Sequence, residues 1–495
     1  MSKRYKLHPV SAVINFVKGL KDLIIPLIFL FVANGFNGDW FSLFPYLFIV
    51  LAMIISLVTG IIKWRRFVYW FEEDELRIES GLFVKNKRYI PFERIQSLNY
   101  TEGILHRPFK LVKVNIETAG SNALNKSEAE LTAITREAAE VIELELAAAK
   151  KRKSTVEQDV VVEEGHEAEV IIPQTNLLYK MSLKELLILA STSSGIGVIF
   201  SGLAVLFSQF SEFIPYEFIY EELKAFIQFG IFMIAIAVFV VLLITWLFSV
   251  GMTLLNYYSF SISKEDDQLF VTRGLLEKKK ITLPLKRIQG VRIIENPLRQ
   301  LFGYATVIVD SAGGATLEDQ KIKLLPVIKK KEIEPLLKNI LPDYEFKGEL
   351  VSVPKKGKAF FYRVDFFWIL PIIAIVNYFF YPYGLFSLLL IPLGIGWGLW
   401  QHRSAAYMLK DQQATFRFRV FSKHTYYLQR RRIQSLEVRQ SYFQKRKNLA
   451  SVEATIKSGS LGATATVPHL NADDAEWIMS WYEPDHMKKK PSIDR

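Results

Sequence analysis

Three segments of the chain are long, apolar and free of Asp, Glu, Lys and Arg: Phe41–Ile62, Leu186–Phe210 and Ala225–Val250. A helix needs about 20 apolar residues to cross the hydrocarbon layer of a membrane. The alternative, a buried helix in a soluble protein, would need protein on every side of a segment as long as Ala225–Val250. These segments therefore predict an integral membrane protein.

Three further apolar segments are shorter, and each lies beside a second apolar run: Leu23–Phe36, Phe366–Tyr381 and Gly384–Trp400. Short turns separate the members of each pair, so the six segments predict three helical hairpins. We expect the first segment to extend back toward Ile14, with Lys18 and Lys21 reaching to the membrane surface.

Charges near the ends of the six segments predict their orientation, because cytoplasmic loops carry an excess of Lys and Arg. One side is basic: Lys3, Arg4, Lys6, Lys63, Arg65, Arg66, Lys180, Lys184, Lys355, Lys356, Lys358, Arg363 and Arg403. The other side is acidic or uncharged, as in Ser211–Lys224. Both termini and all large loops are therefore expected in the cytoplasm. Topology thus accounts for much of the net charge of +12, so nucleic acid is not expected as a partner.

The cytoplasmic segments repeat a motif centred on Arg-Ile-Gln. It spans Arg94–Gln96, Arg287–Gln289 and Arg432–Gln434, and in the first two copies a Gly-Leu pair begins at the same distance before it. In the third copy Arg419 replaces that glycine, so this copy has diverged. The recurrence after each hairpin predicts one domain in three copies.

Each copy continues with an alternating strand and ends in a helix. The predicted strands are Val112–Thr118, Ala305–Val309 and Ala450–Ile456. The predicted helices are Glu128–Ala149, Lys330–Leu341 and Asp473–Trp481. Several short strands followed by one helix indicate an α+β domain of under about 100 residues.

This order of elements resembles the bacterial pleckstrin-homology-like (PH-like) domain of the membrane-flanked type, and the whole chain resembles the YdbT-like family of membrane proteins. The resemblance implies a multi-pass protein of the bacterial plasma membrane without known enzymatic activity, often accompanied by a smaller homologous membrane protein with one such unit. The segments are transmembrane hairpins 1–63, 180–253 and 346–403, PH-like domains 64–153 (copy one), 254–345 (copy two) and 404–486 (copy three), and an acidic linker, 154–179.

The Arg-Ile-Gln motif is the first candidate interaction site. In an alternating strand the isoleucines would point inward, while the flanking side chains would point outward together. The residues concerned are Arg94, Gln96, Arg287, Gln289, Arg432 and Gln434. Such pairs could bind an acidic protein partner or a neighbouring copy. Alternatively, the arginine closes a structural salt bridge and the glutamine caps the edge of a strand.

Basic residues in the following loops are the second candidate. They are Lys85, Lys87, Arg88, Lys278, Lys279, Lys280 and Lys423, with His424 beside the last. Near an anionic leaflet each cation could contribute about 1 kcal/mol to docking on lipid. Alternatively, these are solvated turns. Phosphoinositide-type recognition is not expected, because the preceding turns, Glu72–Glu75 and Lys264–Asp267, are acidic.

No catalytic, cofactor or metal site is predicted. Cysteine is absent, the seven histidines are scattered, and no phosphate-binding loop, metal-binding HExxH or nucleophile-elbow motif occurs. Gly394, Gly396 and Gly398 predict close helix packing rather than a substrate path, which disfavours a transporter.

The sequence favours a non-enzymatic membrane scaffold that presents three cytoplasmic domains for protein assembly. The lipid bilayer, a smaller homologous membrane protein and further copies of the chain are the expected partners. The alternative is an envelope protein that interacts with anionic lipid and protects against membrane-active agents. A transporter subunit is the third hypothesis.

Overall fold

The computed structural model describes residues 4–34, 40–118, 128–156, 176–193, 231–312, 321–459 and 462–483. The chain divides into two compact units, the first ending at Leu283 and the second beginning at Pro284. The acidic linker falls largely outside the described residues.

Eleven α-helices occur in the described residues: α1 (Val10–Asn34), α2 (Trp40–Arg66), α3 (Arg136–Val156), α4 (Leu183–Thr192), α5 (Ile231–Tyr257), α6 (Pro297–Leu301), α7 (Lys330–Ile340), α8 (Lys358–Phe380), α9 (Leu390–Ser404), α10 (Tyr442–Lys445) and α11 (Ala472–Tyr482). Most of Leu186–Phe210 and the start of Ala225–Val250, which are predicted to be spans, lie outside the described residues.

Four stretches of the described chain are long and apolar enough to cross a membrane: Leu47–Arg66, Phe239–Tyr257, Lys355–Phe379 and Tyr383–Ser404. Within an apolar 18-residue segment of each stretch, only 11–12% is buried inside the protein. Their apolar side chains therefore need an apolar environment outside the protein, as a bilayer provides.

Two of the three glycines in the last long apolar helix pack closely against the neighbouring helix, as predicted. A Cβ atom on Gly394 would lie 2.8 Å from Ile369 Cδ1, and one on Gly398 would lie 2.7 Å from Tyr362 Cβ, both on α8. The two glycines are one turn apart and so share a face of α9. A Cβ atom on Gly396 would meet open space.

The first unit contains two sheets. A four-stranded sheet has the order β1 (Tyr5–Lys6), β2 (Val68–Glu72), β3 (Glu75–Ser80), β4 (Asn86–Pro91). A seven-stranded sheet has the order β7 (Ala129–Thr135), β6 (Leu111–Thr118), β5 (Ile95–Glu102), β11 (Lys278–Pro284), β10 (Gln268–Arg273), β9 (Ser261–Glu265), β8 (Asn176–Lys180).

The second unit also contains two sheets. A seven-stranded sheet has the order β14 (Lys321–Lys329), β13 (Tyr304–Ser311), β12 (Ile288–Glu295), β18 (Lys423–Gln429), β17 (Gln413–Arg419), β16 (Ala406–Lys410), β15 (Val351–Ser352). A three-stranded sheet has the order β19 (Ile433–Arg439), β20 (Leu449–Ile456), β21 (Ala463–Asn471).

The two seven-stranded sheets each contain strands from two copies. β5 of copy one pairs with β11 of copy two, and β12 of copy two pairs with β18 of copy three, both antiparallel. The first half of each later copy thus continues the sheet of the copy before it. The sequence pattern predicts the strands but not this pairing between copies.

Alternating burial explains the strands and corrects one predicted helix. Ala129, Leu131 and Ala133 of β7 are at most 4% exposed, and the residues between them are less buried. That period of two belongs to a strand, so the predicted helix Glu128–Ala149 is wrong over its first turns, and the helix begins at Arg136. Copies two and three have their final helices where they are predicted.

The first helix also differs from its prediction. It begins at Val10, and its first turns lie against β7, where Ser11 Oγ is 2.7 Å from Thr132 Oγ1. Lys18 Nζ lies 2.9 Å from Glu130 Oε1, so this lysine forms an ion pair with the sheet rather than reaching along the membrane surface. Burial opposes the charge on Glu130, but Lys113 and Lys18 outweigh it and lower the pKa of this carboxyl.

Candidate functional site

The Arg-Ile-Gln motif is not one continuous strand. In each copy the arginine ends a single 3₁₀ turn (Phe92–Arg94, Leu285–Arg287, Arg430–Arg432), and the isoleucine begins the next strand. The three isoleucines are buried as predicted. Because the backbone changes direction before the isoleucine, arginine and glutamine do not share a strand face.

The motif lies in a different environment in each copy. Arg94 and Gln434 are exposed, and Gln96 lines a cleft of 360 Å³. Arg287 is only 9% exposed, and its Nε and Nη2 donate to the carbonyl of Ala312 at 3.1 and 3.0 Å.

Copy two contradicts the prediction that Arg287 and Gln289 point outward. Gln289 is 7% exposed, and its Nε2 donates to the carbonyl of Arg287 at 3.1 Å. In copy three, Arg432 is partly buried and Nη2 donates to the carbonyl of Lys286 at 2.9 Å. These contacts join the turn to neighbouring backbone, so in copy two both side chains make hydrogen bonds inside the domain.

The basic residues of copy one have partners within that copy. Lys85 and Lys87 lie 2.8 and 3.5 Å from Glu79, and Arg88 donates to the carbonyl of Glu128. All three side chains remain at the surface. Their role at a lipid surface stays a prediction.

In copies two and three the predicted basic loops are strands at the junctions between copies. Lys278, Lys279 and Lys280 belong to β11 and lie opposite Glu102, Thr101 and Tyr100 of β5. Lys280 Nζ is 4.6 Å from the ring centroid of Phe270 and 5.5 Å from that of Tyr100. Lys280 therefore lies in a strand rather than in the predicted loop, with its ammonium group over the aromatic rings of the junction.

Lys423 departs further from the prediction. Its side chain is 11% exposed, and Nζ lies 2.7 Å from Oε1 of Glu295, which is 5% exposed. Burial lowers the pKa of Lys423, and Glu295 opposes that shift. Beside it, burial and the charges of Arg292 and Arg419 lower the pKa of His424 to about 4, so this imidazole is neutral at pH 7. Neither residue forms a lipid-facing basic loop.

The first junction contains a buried chain of polar contacts. Thr282 N donates to Asn99 Oδ1 at 3.0 Å, and Thr282 Oγ1 donates to the carbonyl of Leu98 at 2.7 Å. Asn99 Nδ2 and Ser97 Oγ donate to the two carboxylate oxygens of Glu117 at 2.9 and 2.7 Å. A carboxylate that is 2% exposed is thus tied through Asn99 to the next copy.

The second junction places the same kind of network at the same position. Asp310, the counterpart of Glu117, is fully buried and lies 2.6 Å from Arg292 Nη2. Arg292 Nη1 donates to Tyr426 Oη at 2.9 Å, and Ser458 Oγ donates to Asp310 Oδ1 at 2.9 Å. Removing one partner from a buried pair typically costs about 3–5 kcal/mol, so this network favours one register of the two copies.

Both junctions share one register. Lys278 lies opposite Glu102 in the first, and Lys423 lies opposite Glu295 in the second. The glutamates follow the Arg-Ile-Gln motif at the same distance, and the lysines follow the Gly-Leu position at the same distance. These pairs were not predicted from the sequence, although opposite charges at fixed positions in consecutive copies indicate them.

Each copy also has an exposed apolar tip, which we define as residues 82–84 in copy one, 275–276 in copy two and 420–421 in copy three. Phe83 is 91% exposed and Phe421 is 62% exposed. Each tip lies beside a long apolar helix. In copy one, Arg66 at the end of α2 donates from Nη1 to the carbonyl of Leu82 at 2.5 Å. Leu275 N donates to the carbonyl of Leu255 at 2.8 Å, and the Phe421 ring stacks on Trp397 at 5.6 Å.

Backbone geometry explains the glycine before the first two tips. Gly81 and Gly274 have φ of +139° and +108°, and a Cβ atom would lie 1.9 Å from Val84 O or 2.0 Å from Glu277 O. Only glycine fits such a turn without rearrangement. In copy three Arg419 ends a strand instead, so its turn has a different geometry.

No cluster of three or more His, Asp or Glu arranged to hold a metal ion occurs in the described ranges.

Comparison with known proteins agrees with this architecture. The sequence pattern of the bacterial PH domain matches residues 22–150, 217–342 and 365–485. The chain is 35% identical over 493 residues, 97% of its length and 98% of the relative's, to a Bacillus subtilis (strain 168) protein named UPF0699 transmembrane protein YdbT. No solved structure matches the chain. The three matches confirm the threefold repeat, and the relative confirms the resemblance to YdbT-like proteins.

Proposed function

Because the chain belongs to the bacterial PH domain family, we propose that it is a non-enzymatic membrane scaffold whose three PH-like copies bind protein at the cytoplasmic face. The observation that carries this proposal is the pairing of β5 with β11 and of β12 with β18. One PH-like copy thereby binds the next through backbone hydrogen bonds and a buried polar network. The same mode can serve a homologous partner.

The proposed topology has six transmembrane helices in three hairpins, with both termini and all copies in the cytoplasm of a bacterium. Its support is the basic charge on one set of helix ends and the named transmembrane relative. Because the chain has no cysteine, single cysteines can report sidedness. Glu217→Cys should react with an impermeant maleimide on intact spheroplasts, and Arg446→Cys only after lysis. The reverse pattern would contradict the orientation.

The proposed partner is a smaller membrane protein that carries one PH-like unit. Tagged full-length chain, co-expressed with such a protein, should retain it through purification in mild detergent. Arg94→Glu changes an exposed residue of the motif and should reduce recovery, whereas Arg446→Glu changes an exposed arginine outside it and should not. Equal recovery of the partner with both variants would show that Arg94 does not contribute to partner binding. No recovery with wild type would contradict the partner.

The apolar tips favour a second candidate function, an envelope protein that interacts with anionic lipid and protects against membrane-active agents. Phe83 and Phe421 are exposed apolar side chains beside the ends of long apolar helices, and exposed apolar patches can mark sites of membrane contact. A spin label on Phe83→Cys, in nanodiscs with anionic lipid, should be more accessible to oxygen than to a polar nickel reagent. A label on Gln412→Cys, at an exposed strand turn, should show the opposite. Equal profiles would contradict contact with lipid.

A further inference from the structure

In each copy one strand precedes the 3₁₀ turn and one follows it, so six strands form two sets of three equivalent strands. β4, β11 and β18 precede the turn in their copies, and β5, β12 and β19 follow it. β11 pairs with β5 and β18 pairs with β12. In the part of the chain that the structure describes, β4 and β19 are edge strands and have no partner in another copy.

The edge of β4 has the character of an unoccupied junction. Tyr89 is 51% exposed, whereas its equivalents at the two junctions, Thr282 and Tyr427, are each 8% exposed. Asn86, Lys87 and Arg88 are also exposed. The cations on this strand do not exclude pairing, because β11 carries three lysines and is paired.

The edge of β19 shows the complementary difference. The Glu437 side chain is 54% exposed, whereas the equivalent residues Asn99 and Arg292 are 6% and 8% exposed in their junctions. Val438 is only partly buried, whereas its equivalents Tyr100 and Ile293 are each 9% exposed. β4 and β19 therefore each present one half of such a junction.

We infer that β4 of one molecule pairs with β19 of a second copy of this chain, in the antiparallel register of the internal junctions. His424 lies opposite Ile294 in the second junction, which places Asn86 opposite Arg439. Tyr426 lies opposite Arg292, which places Arg88 opposite Glu437. The cation of one edge thus meets the carboxylate of the other.

A second copy fits these edges because one chain supplies both halves of the junction. The contact is head-to-tail, so it repeats and yields a ring or a linear array. The inference rests on the proposed function in one respect, namely that the membrane hairpins hold both edges at the same face of the bilayer. Backbone hydrogen bonds supply affinity, and the opposed charges fix the register.

Disulfide cross-linking tests the register, because the chain has no cysteine of its own. Residues opposite each other in antiparallel strands have Cα atoms about 4.5–5.5 Å apart, within the range for a disulfide. The full-length double variant Asn86→Cys/Arg439→Cys should give a ladder of covalent oligomers when membranes are oxidised and run without reductant. Both positions are exposed, so the fold should tolerate them.

Two controls make the result specific. Thr101→Cys/Lys279→Cys, which are opposite each other in the first junction, should cross-link within one chain and show that the oxidation works. Asn86→Cys/Val438→Cys places the second cysteine one residue away from the position opposite Asn86, and should give a much weaker ladder of cross-linked oligomers. Two tagged chains, one with Asn86→Cys alone and one with Arg439→Cys alone, should form a single cross-linked heterodimer when co-expressed.

Three outcomes would overturn the inference: no ladder while the internal control cross-links, a ladder of equal strength with Val438→Cys, or an adduct whose mass shows a different protein. A charge swap gives an independent readout, since Arg88→Glu should reduce heterodimer yield severalfold and Glu437→Arg on the partner chain should restore it. Co-purification of a one-unit partner does not depend on the ladder, so it separates failure of this inference from failure of the scaffold proposal.

Discussion

The Arg419 guanidinium lies 3.8 Å from the ring centroid of Trp400, in the last long apolar helix. Its Nε donates to Ser404 Oγ at 3.0 Å, and its Nη2 donates to Gln300 Oε1 at 2.5 Å. Within the second unit, one side chain therefore joins α9, the sheet of copy three and the short helix α6 of copy two. Copy three has lost the glycine of the motif and uses the position for this link.

Replacing Arg419 should destabilise the second unit. A buried cation–π contact contributes about 2 kcal/mol, and charged hydrogen bonds add about 1.5–3 kcal/mol each. Arg419→Lys keeps the charge but loses the planar donors, so it should lower the melting temperature nearly as much as Arg419→Ala. Thermal unfolding in detergent measures this, with exposed Arg446→Lys as the matched control. If the Arg419 variants and wild type have equal melting temperatures, the contacts of Arg419 do not stabilise the second unit.

The Glu295–Lys423 pair predicts an asymmetric mutational response. Glu295→Gln leaves the Lys423 ammonium, 11% exposed, without its carboxylate, so we expect a loss of about 3–5 kcal/mol. Lys423→Met should cost less, because Lys330 Nζ remains 3.7 Å from Glu295 Oε2. Denaturant unfolding of both single variants and the double variant gives the coupling energy. Additive effects would mean that the pair does not hold the junction.

The long apolar helices and most strands follow from the sequence, because their length and period are local properties. The partner of a strand is not local. Lys278–Lys280 has the charge of an exposed turn, yet it lies in β11 because Glu102, Thr101 and Tyr100 of another copy are opposite. Likewise Arg94 and Arg287 lie in the same local motif, but Arg94 is exposed, whereas Arg287 is buried and donates to the carbonyl of Ala312. Such differences depend on contacts with residues distant along the chain, which one motif does not encode.

Two glycines with positive φ should respond differently to alanine. At Gly274 φ is +108° and a Cβ atom would lie 2.0 Å from Glu277 O, so Gly274→Ala must rearrange the turn before the tip. At Gly303 φ is +72° with open space, so Gly303→Ala should cost only about 1–2 kcal/mol of left-handed strain. Gly274→Ala should therefore lower the melting temperature more. A larger effect at Gly303 would contradict this account of the tip.

Stability of the second unit should fall as the pH falls below neutrality, with His424 as one cause. Burial, Arg292 and Arg419 lower the pKa of His424 to about 4, while an unfolded histidine has a pKa of about 6.5. Between these values the unfolded chain binds more protons than the folded one, so folding stability rises with pH across that window and is lost as pH falls.

His424→Phe keeps a ring where the imidazole stacks on Phe418 at 5.4 Å and removes the titration. We expect its melting temperature to change less than that of wild type between pH 7 and pH 5. Some dependence should remain, because burial and His402 also lower the pKa of His469 to about 4. His469→Gln should remove that second part, and the double variant should be the flattest of the series. If His424→Phe keeps the full wild-type pH dependence, the imidazole is not held neutral between Phe418 and Tyr426, and the slope arises elsewhere.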